Sequence, residues 1–200
     1  MECAGSGQPQ TSRKGPGGAW RPRPDPVCCP AVARVLADQV EVYMFRRRGR
    51  RVEFLVLRRS ASVALPQVWQ PVTGGLKRGE RAVDGARREV LEETGLKPRR
   101  WWALESMTVY FDPARDAVRL LPLFAAEIGA GDRPRLSGEH DRHAFLGAAA
   151  AARRFLWRAQ ARALEAVRRE VLAGGRRARA LEIMGPSKTR GARRRPRSDR

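Results

Sequence analysis

One stretch constrains this chain more than any other. Between Gly74 and Leu96 it reads Gly-Gly-Leu-Lys-Arg-Gly-Glu-Arg-Ala-Val-Asp-Gly-Ala-Arg-Arg-Glu-Val-Leu-Glu-Glu-Thr-Gly-Leu, a loop feeding a helix. If the helix starts near Arg81, Glu89, Glu92 and Glu93 fall at i, i+3 and i+4 and leave one arc of roughly 100°. Three unpaired anions there would repel one another. A divalent cation such as Mg²⁺ or Mn²⁺ removes the conflict, because hard cations take oxygen ligands and keep positions open for phosphate oxygens and water. The plainer alternative is a solvated Arg/Glu helix face of the kind Arg168, Arg169 and Glu170 also offer. Val83, Ala86 and Val90 recur at helical spacing on another side of the same segment, so that face packs on a sheet, and Gly95 ends the helix as its C-cap.

Around this segment the pattern alternates between strand and helix signals. Val32 to Phe45 and Val52 to Leu57 are rich in β-branched and aromatic residues and flank Arg46 to Arg51, which predicts a hairpin with Gly49 at positive φ. Val68 to Thr73 is a short strand entering the glycine turn. Trp101 to Phe111 and Ala117 to Ile128 are two more strands, with Pro122 implying a bulge or an edge. Gly129 to Gly138 is a loop, Ala144 to Leu146 a short strand, and Ala148 to Ala173 mainly helical up to Gly174-Gly175, with Leu156, Ala163, Val167 and Val171 facing the sheet. The fold class is α/β, in layers.

Two hundred residues, 42% hydrophobic, suit one domain with tails. Residues 1 to 28 are rich in Gly, Pro, Ser and Gln and are expected to be disordered, residues 29 to 173 form the domain, and 174 to 200 are expected to be a disordered basic tail. Cys3, Cys28 and Cys29 have neither a disulfide framework's even count nor zinc spacing, so free thiols are the default. No apolar run suggests a membrane span or a secretory signal, which points to a soluble cytoplasmic protein. The net charge of +20 suits an anionic partner such as a nucleotide, and the tail offers weak nucleic-acid contact; no membrane partner is expected and the oligomeric state stays open.

The spacing from Gly74 through Glu80 and Arg88-Glu89 to Glu92-Glu93-Thr94-Gly95 resembles the signature of the Nudix hydrolases without a mismatch. The resemblance implies an α/β/α sandwich around a mixed β-sheet over residues 31 to 173. It also implies hydrolysis of a nucleoside diphosphate linked to another moiety, with Mg²⁺, or alternatively Mn²⁺, as cofactor. By the same resemblance Glu89 and Glu93 are metal ligands and catalytic, Glu92 joins the shell, and Arg88 supports these glutamates by ion pairing. Glu80 orders the loop, and a carbonyl of Gly74 or Gly75 completes the coordination.

Leu136 to Leu146 is similar to the segment where some Nudix enzymes carry Glu-His before an aromatic-x-Trp-Leu strand, although His143 and Phe145 depart from it. Glu139 would then be a distal catalytic and metal-binding carboxylate, with the general base either Glu89 or Glu139, and His140 would contact substrate. Trp69 to Gly75, Glu139-His140 and Trp157-x-x-Gln160 together are most similar to the branch of dihydroneopterin triphosphate and dATP pyrophosphohydrolases. Trp69 would border the base pocket or belong to the core. Tyr110 stands near the place where diadenosine polyphosphate hydrolases stack a base. An RNA-end hydrolase and a non-catalytic nucleotide-binding domain are the other readings, the last disfavoured because all three motif glutamates are kept.

Overall fold

The computed structural model describes residues 33–183, so the amino-terminal tail, the three cysteines and the chain beyond Ile183 lie outside the described residues. In chain order the elements are β1 (Arg34–Leu36), β2 (Gln39–Arg48), β3 (Arg51–Arg59), β4 (Trp69–Gln70), β5 (Val72–Gly75), α1 (Ala82–Thr94), β6 (Arg100–Asp112), β7 (Ala117–Ile128), β8 (His140–Leu146), α2 (Ala148–Arg154), α3 (Arg158–Val167) and α4 (Gly175–Leu181).

Every residue of β2 from Val40 to Arg46 is buried, because both faces of the sheet are covered. Val40, Val42 and Met44 face α1 through Ala86 and Val90, while Tyr43 and Phe45 face α2 and α3 through Ala151, Ala163, Leu164 and Val167. The result is the layered sandwich around a mixed eight-stranded sheet.

The run read as one strand from Val32 divides at Ala37-Asp38. Both pieces pair in parallel with β7, Arg34 opposite Ala117 and Glu41 opposite Leu123. Asp38 pins the break: its carbonyl accepts from Leu76 N at 2.8 Å and its carboxylate from Arg119 Nη1 at 2.6 Å. The hairpin turns at Gly49, φ +59°, as its sequence requires. β2 and β3 pair only from Phe45 to Phe54 and then splay, and the segment carrying β4 and β5 fills the fork, β5 on β2 and β4 on β3. Pro71, which lacks an N–H, falls between those two ladders.

Pro122 sits where β7 has lost β1 and not yet met β2, opposite a bulge of β6 at Leu104 to Ser106. The bulge frees the Glu105 N–H and the Ser106 hydroxyl, and both donate to Glu170, at 2.9 and 2.6 Å. Glu170 reaches inward from a π-helical turn, Arg168–Leu172, that continues α3.

The single helix expected from Ala148 to Ala173 is interrupted. Phe155 is extended at ψ 137°, which brings its ring edge-on to Tyr43 at 6.3 Å and its backbone beside Trp69. As a consequence Leu156 does not face the sheet and is 52% exposed. The expectation of a disordered tail from Gly174 is also corrected over its first part. Past Gly174, at φ +72°, α4 buries Ala178, Glu182 takes a bidentate pair from Arg100 at 2.8 Å, and Ile183 packs on the core. Apolar Ala178 and Ile183 carry the packing past the glycines.

Candidate functional site

The motif loop is closed by its own backbone. Glu80 N–H donates to the Lys77 carbonyl, Gly79 takes φ +77°, and Lys77 N–H returns a bond to the Glu80 carboxylate at 2.9 Å. α1 follows at Ala82 and ends at Gly95, whose φ of +64° lets its N–H reach Leu91 O. Arg88 ties helix to loop with all five of its N–H groups. Nε and Nη2 fork onto Glu80 at 2.8 Å each, Nη2 also reaches the Gly75 carbonyl at 2.8 Å, and Nη1 divides between Glu89 at 2.6 Å and Glu92 at 3.0 Å. Hydrogen bonding to Arg88 holds the Glu80 carboxyl down at about 2. The Gly75 carbonyl therefore already accepts a bond within the chain.

Gly74 is required by a close approach. A Cβ there would overlap the Glu89 carboxylate, which lies across the strand. Burial raises the Glu89 pKa, and Arg88 only partly offsets it. Glu92 is half exposed. Glu93 is the enclosed member of the cluster, 3% exposed. Burial, reinforced by the charges of Glu89 and Glu139, pushes its pKa up to about 9, and a backbone bond from Thr73 does not cancel the effect.

The loop before β8 docks on the end of α1. Ser137 N and Arg135 N donate to the carbonyls of Glu93 and Thr94, which a helix terminus leaves free. That contact sets Glu139, exposed at the loop's end, close enough for its charge to act on Glu89 and Glu93. It also buries His140, whose Nδ1 lies 3.7 Å from Glu93 Oε2, beyond hydrogen-bond length, so both atoms are enclosed without a partner. Burial lowers the His140 pKa. Gln70 stands on its other side, 3.4 Å from Nε2.

The structure thus brings together Glu89, Glu93, Glu139, His140 and the glycine strand, with Glu92 at the rim. Trp69 and Tyr110 lie elsewhere, on the α3 side of the sheet. Trp69 packs beside Phe155 under the Arg154 guanidinium at 4.7 Å, and Tyr110 is 41% exposed with its hydroxyl on Gln39. His143 and Phe145 meet edge-on, and Arg46 lies over the Phe145 ring, which is packing. Sequence reading missed Arg59 and Gln70. The charge of Arg59 acts on both Glu93 and His140 from outside the motif, but one arginine among forty-one Lys and Arg residues carries no signal of its own.

Among the described residues, no three acidic, histidine or cysteine side chains are drawn to the distances of a closed metal cage. The donor set nevertheless fits a hard divalent cation. Glu93 Oε2 is sealed and unpartnered, the groups around it are carboxylates, and Mg²⁺ sites commonly take one or two carboxylates and leave the remaining positions to water and phosphate.

A model of the NUDIX domain matches residues 36–167. The chain belongs to the Nudix family. Among curated proteins it is 46% identical to an RNA pyrophosphohydrolase of Bartonella clarridgeiae over 37 residues, 18% of this chain and 21% of that one, so it spans about a fifth of that relative. Solved structures share the fold. The binary complex of a C. elegans Ap4A hydrolase superposes at TM-score 0.60 with 21% identity, covering 70% of this chain and 100% of that one. The E. coli dihydroneopterin triphosphate pyrophosphohydrolase superposes at 0.55 with 21% identity, covering 68% and 96%.

Proposed function

We propose that this chain is a divalent-cation-dependent pyrophosphohydrolase that cleaves a nucleoside or pterin triphosphate into a monophosphate and pyrophosphate. The observation that carries the reading is the enclosed, unpartnered Glu93 Oε2 beside Glu89 and Glu139. Burial without a partner disfavours the carboxylate's charge, and a bound cation would offset that penalty. Glu89, Glu93 and Glu139 would hold Mg²⁺, or Mn²⁺ in its place, with Glu92 at the edge. When bound, the cation neutralises phosphate charge and lowers the pKa of water.

The chain's own residues supply the rest. Glu139, on the loop that docks on the end of α1, would be the base that orients water in line with the breaking bond. Water adds to phosphorus, its proton passes to the carboxylate, and pyrophosphate leaves with the electrons of the broken P–O bond. Arg88 fixes Glu89 and Glu92, and Gly74 gives Glu89 its seat. Glu139→Gln is expected to lower kcat far more than it raises KM. Asp141→Asn, which removes an exposed bidentate pair with Arg58, should leave kcat near wild type. An unchanged kcat in Glu139→Gln would return the base role to Glu89.

A second reading is hydrolysis of diadenosine polyphosphates, the substrate class named for the C. elegans neighbour that shares the fold. A release assay over dNTPs, dihydroneopterin triphosphate, diadenosine polyphosphates and 5′-triphosphate RNA, with Mg²⁺ and Mn²⁺, separates the readings. Hydrolysis of none of them would end the proposal.

A further inference from the structure

Arginines crowd the turn of the β2–β3 hairpin, Arg46-Arg47-Arg48-Gly49-Arg50-Arg51, and both neighbouring strands stop before they reach it. β7 leaves β2 at the Arg46–Ile128 pair, and β8 leaves β3 at the Phe54–Leu146 pair. Past Arg46 and Glu53 only the pairs Arg47–Val52 and Arg48–Arg51 hold the two strands together, so the turn projects from the sheet as a two-stranded ribbon.

Carboxylates answer the arginines at the base of the ribbon and go no further. Glu53 takes Arg46 at 2.7 Å, and Glu127 takes Arg47 at 3.1 Å. Among the described residues no carboxylate pairs with Arg48, Arg50 or Arg51, and all three are exposed. Arg48 stands directly opposite Arg51 on one face of the ribbon, where like charges on adjacent strands repel. The turn itself needs no such pairing, since Gly49 supplies its positive φ. The conflict disappears when an anion lies between the two guanidinium groups.

The nine residues of β3 separate Arg51 from Arg59, whose charge acts on Glu93, so the ribbon's tip and the motif carboxylates are about 25 Å apart. A triphosphate engaged at Glu93 does not reach the tip. The chemistry of the tip narrows its partner. Guanidinium forks match the paired oxygens of phosphate. From Arg46 to Arg51 there is no aromatic side chain to stack an unpaired base and no apolar one to enter a bilayer. The major groove of B-form DNA, about 12 Å wide, admits a two-stranded ribbon.

We propose that the ribbon is a docking arm for duplex DNA, with Arg48, Arg50 and Arg51 contacting backbone phosphates without reading bases. The inference goes beyond the triphosphate hydrolase reading and does not depend on it.

The test is fluorescence anisotropy of a labelled DNA duplex of about 20 base pairs with the 200-residue chain, over a salt series. Arg48→Gln with Arg51→Gln should weaken binding at low salt at least ~10-fold and reduce the log-log salt slope by roughly 2, at ~0.9 per phosphate contact. Arg158→Gln with Arg162→Gln removes the same charge from exposed positions of α3, and should change the affinity by less than ~3-fold because salt screens charges away from the contact. Arg51→Glu should pair with Arg48 and raise the Tm at low salt while weakening duplex binding. A role confined to the fold would not move those two readouts in opposite directions. No duplex binding by the wild type, equal losses in the two double variants, or a lower Tm in Arg51→Glu would overturn the inference. So would tighter binding of the matching single strand than of the duplex, or binding to phosphatidylserine vesicles alone. Duplex binding without hydrolysis of any triphosphate would strike the hydrolase reading and leave this inference standing.

Discussion

Glu93 ionises near 4.5 in an unfolded chain and near 9 in the folded one, where burial and its acidic neighbours oppose the charge. In cation-free buffer the folded state therefore keeps a proton that the unfolded state has released, so this residue's contribution to stability declines as pH rises from about 4.5 to about 9. Glu93→Gln is neutral throughout. It should melt at a higher temperature than the wild type by a margin that widens from pH 5 to pH 9, and a margin constant with pH would contradict the burial account. Added Mg²⁺ should raise the wild-type Tm at pH 8 and leave that of Glu93→Gln nearly unmoved, since only a ligand that binds the native state shifts it. In turnover the same variant should lose ~10²-fold or more in kcat, the usual scale for removing a major electrostatic stabiliser. Gly74→Ala tests the seat of Glu89. Its methyl group would displace that carboxylate, so activity should fall at least ~10-fold while Glu93 keeps its own pH signature.

At the scale of elements, α1 was legible in the sequence because three signals agree on it: the glycine turn before it, the apolar spacing of Val83, Ala86 and Val90, and Gly95 after it. The strands β6 and β7 were legible for the same reason. What the sequence obscured were places where tertiary contact overrides propensity. Alanine and arginine favour helix throughout 148 to 173, yet Phe155 breaks it to reach Tyr43 and Trp69, and no local pattern announces a partner 86 residues away. The site was legible where its spacing is fixed by one helix, at Glu89, Glu92 and Glu93. It was illegible at Arg59 and Gln70, which reach it only because β3 and β4 share the fork. The β6 bulge offers a test of such contact-made structure. Glu170→Ala leaves the Glu105 N–H and the Ser106 hydroxyl without their acceptor, and should cost ~1–3 kcal/mol in urea unfolding, whereas an exposed-residue control such as Glu165→Ala should stay within ~0.5 kcal/mol.

For the molecule as a whole, packed contacts continue further along the chain than charge alone indicated. A chain trimmed to residues 33–183 should unfold in one cooperative transition and hydrolyse a small triphosphate at the full-length rate. Cutting back to 33–173 should lower its Tm, because Ala178, Glu182 and Ile183 are lost from their contacts with β6 and the core. Equal melting temperatures for the two would show those contacts to be idle. Among the described residues no helix is long and apolar enough to cross a membrane.

The parallel pairing of β1 and β2 with β7 has a consequence in time. Arg34 finds Ala117, and Glu41 finds Leu123, only after more than eighty intervening residues have been made and brought back. During synthesis the β2–β3 hairpin and α1 emerge early, with one face of each still bare, and they have no central strand to close upon until Ile128 has left the ribosome. Closing so long a loop is slow, so the rate of folding should be governed by the docking of β7 and respond most to substitutions in Phe124 and Ala126. Until the layers close Glu93 is solvated and ordinary, and the burial that raises its pKa comes only with the packed core.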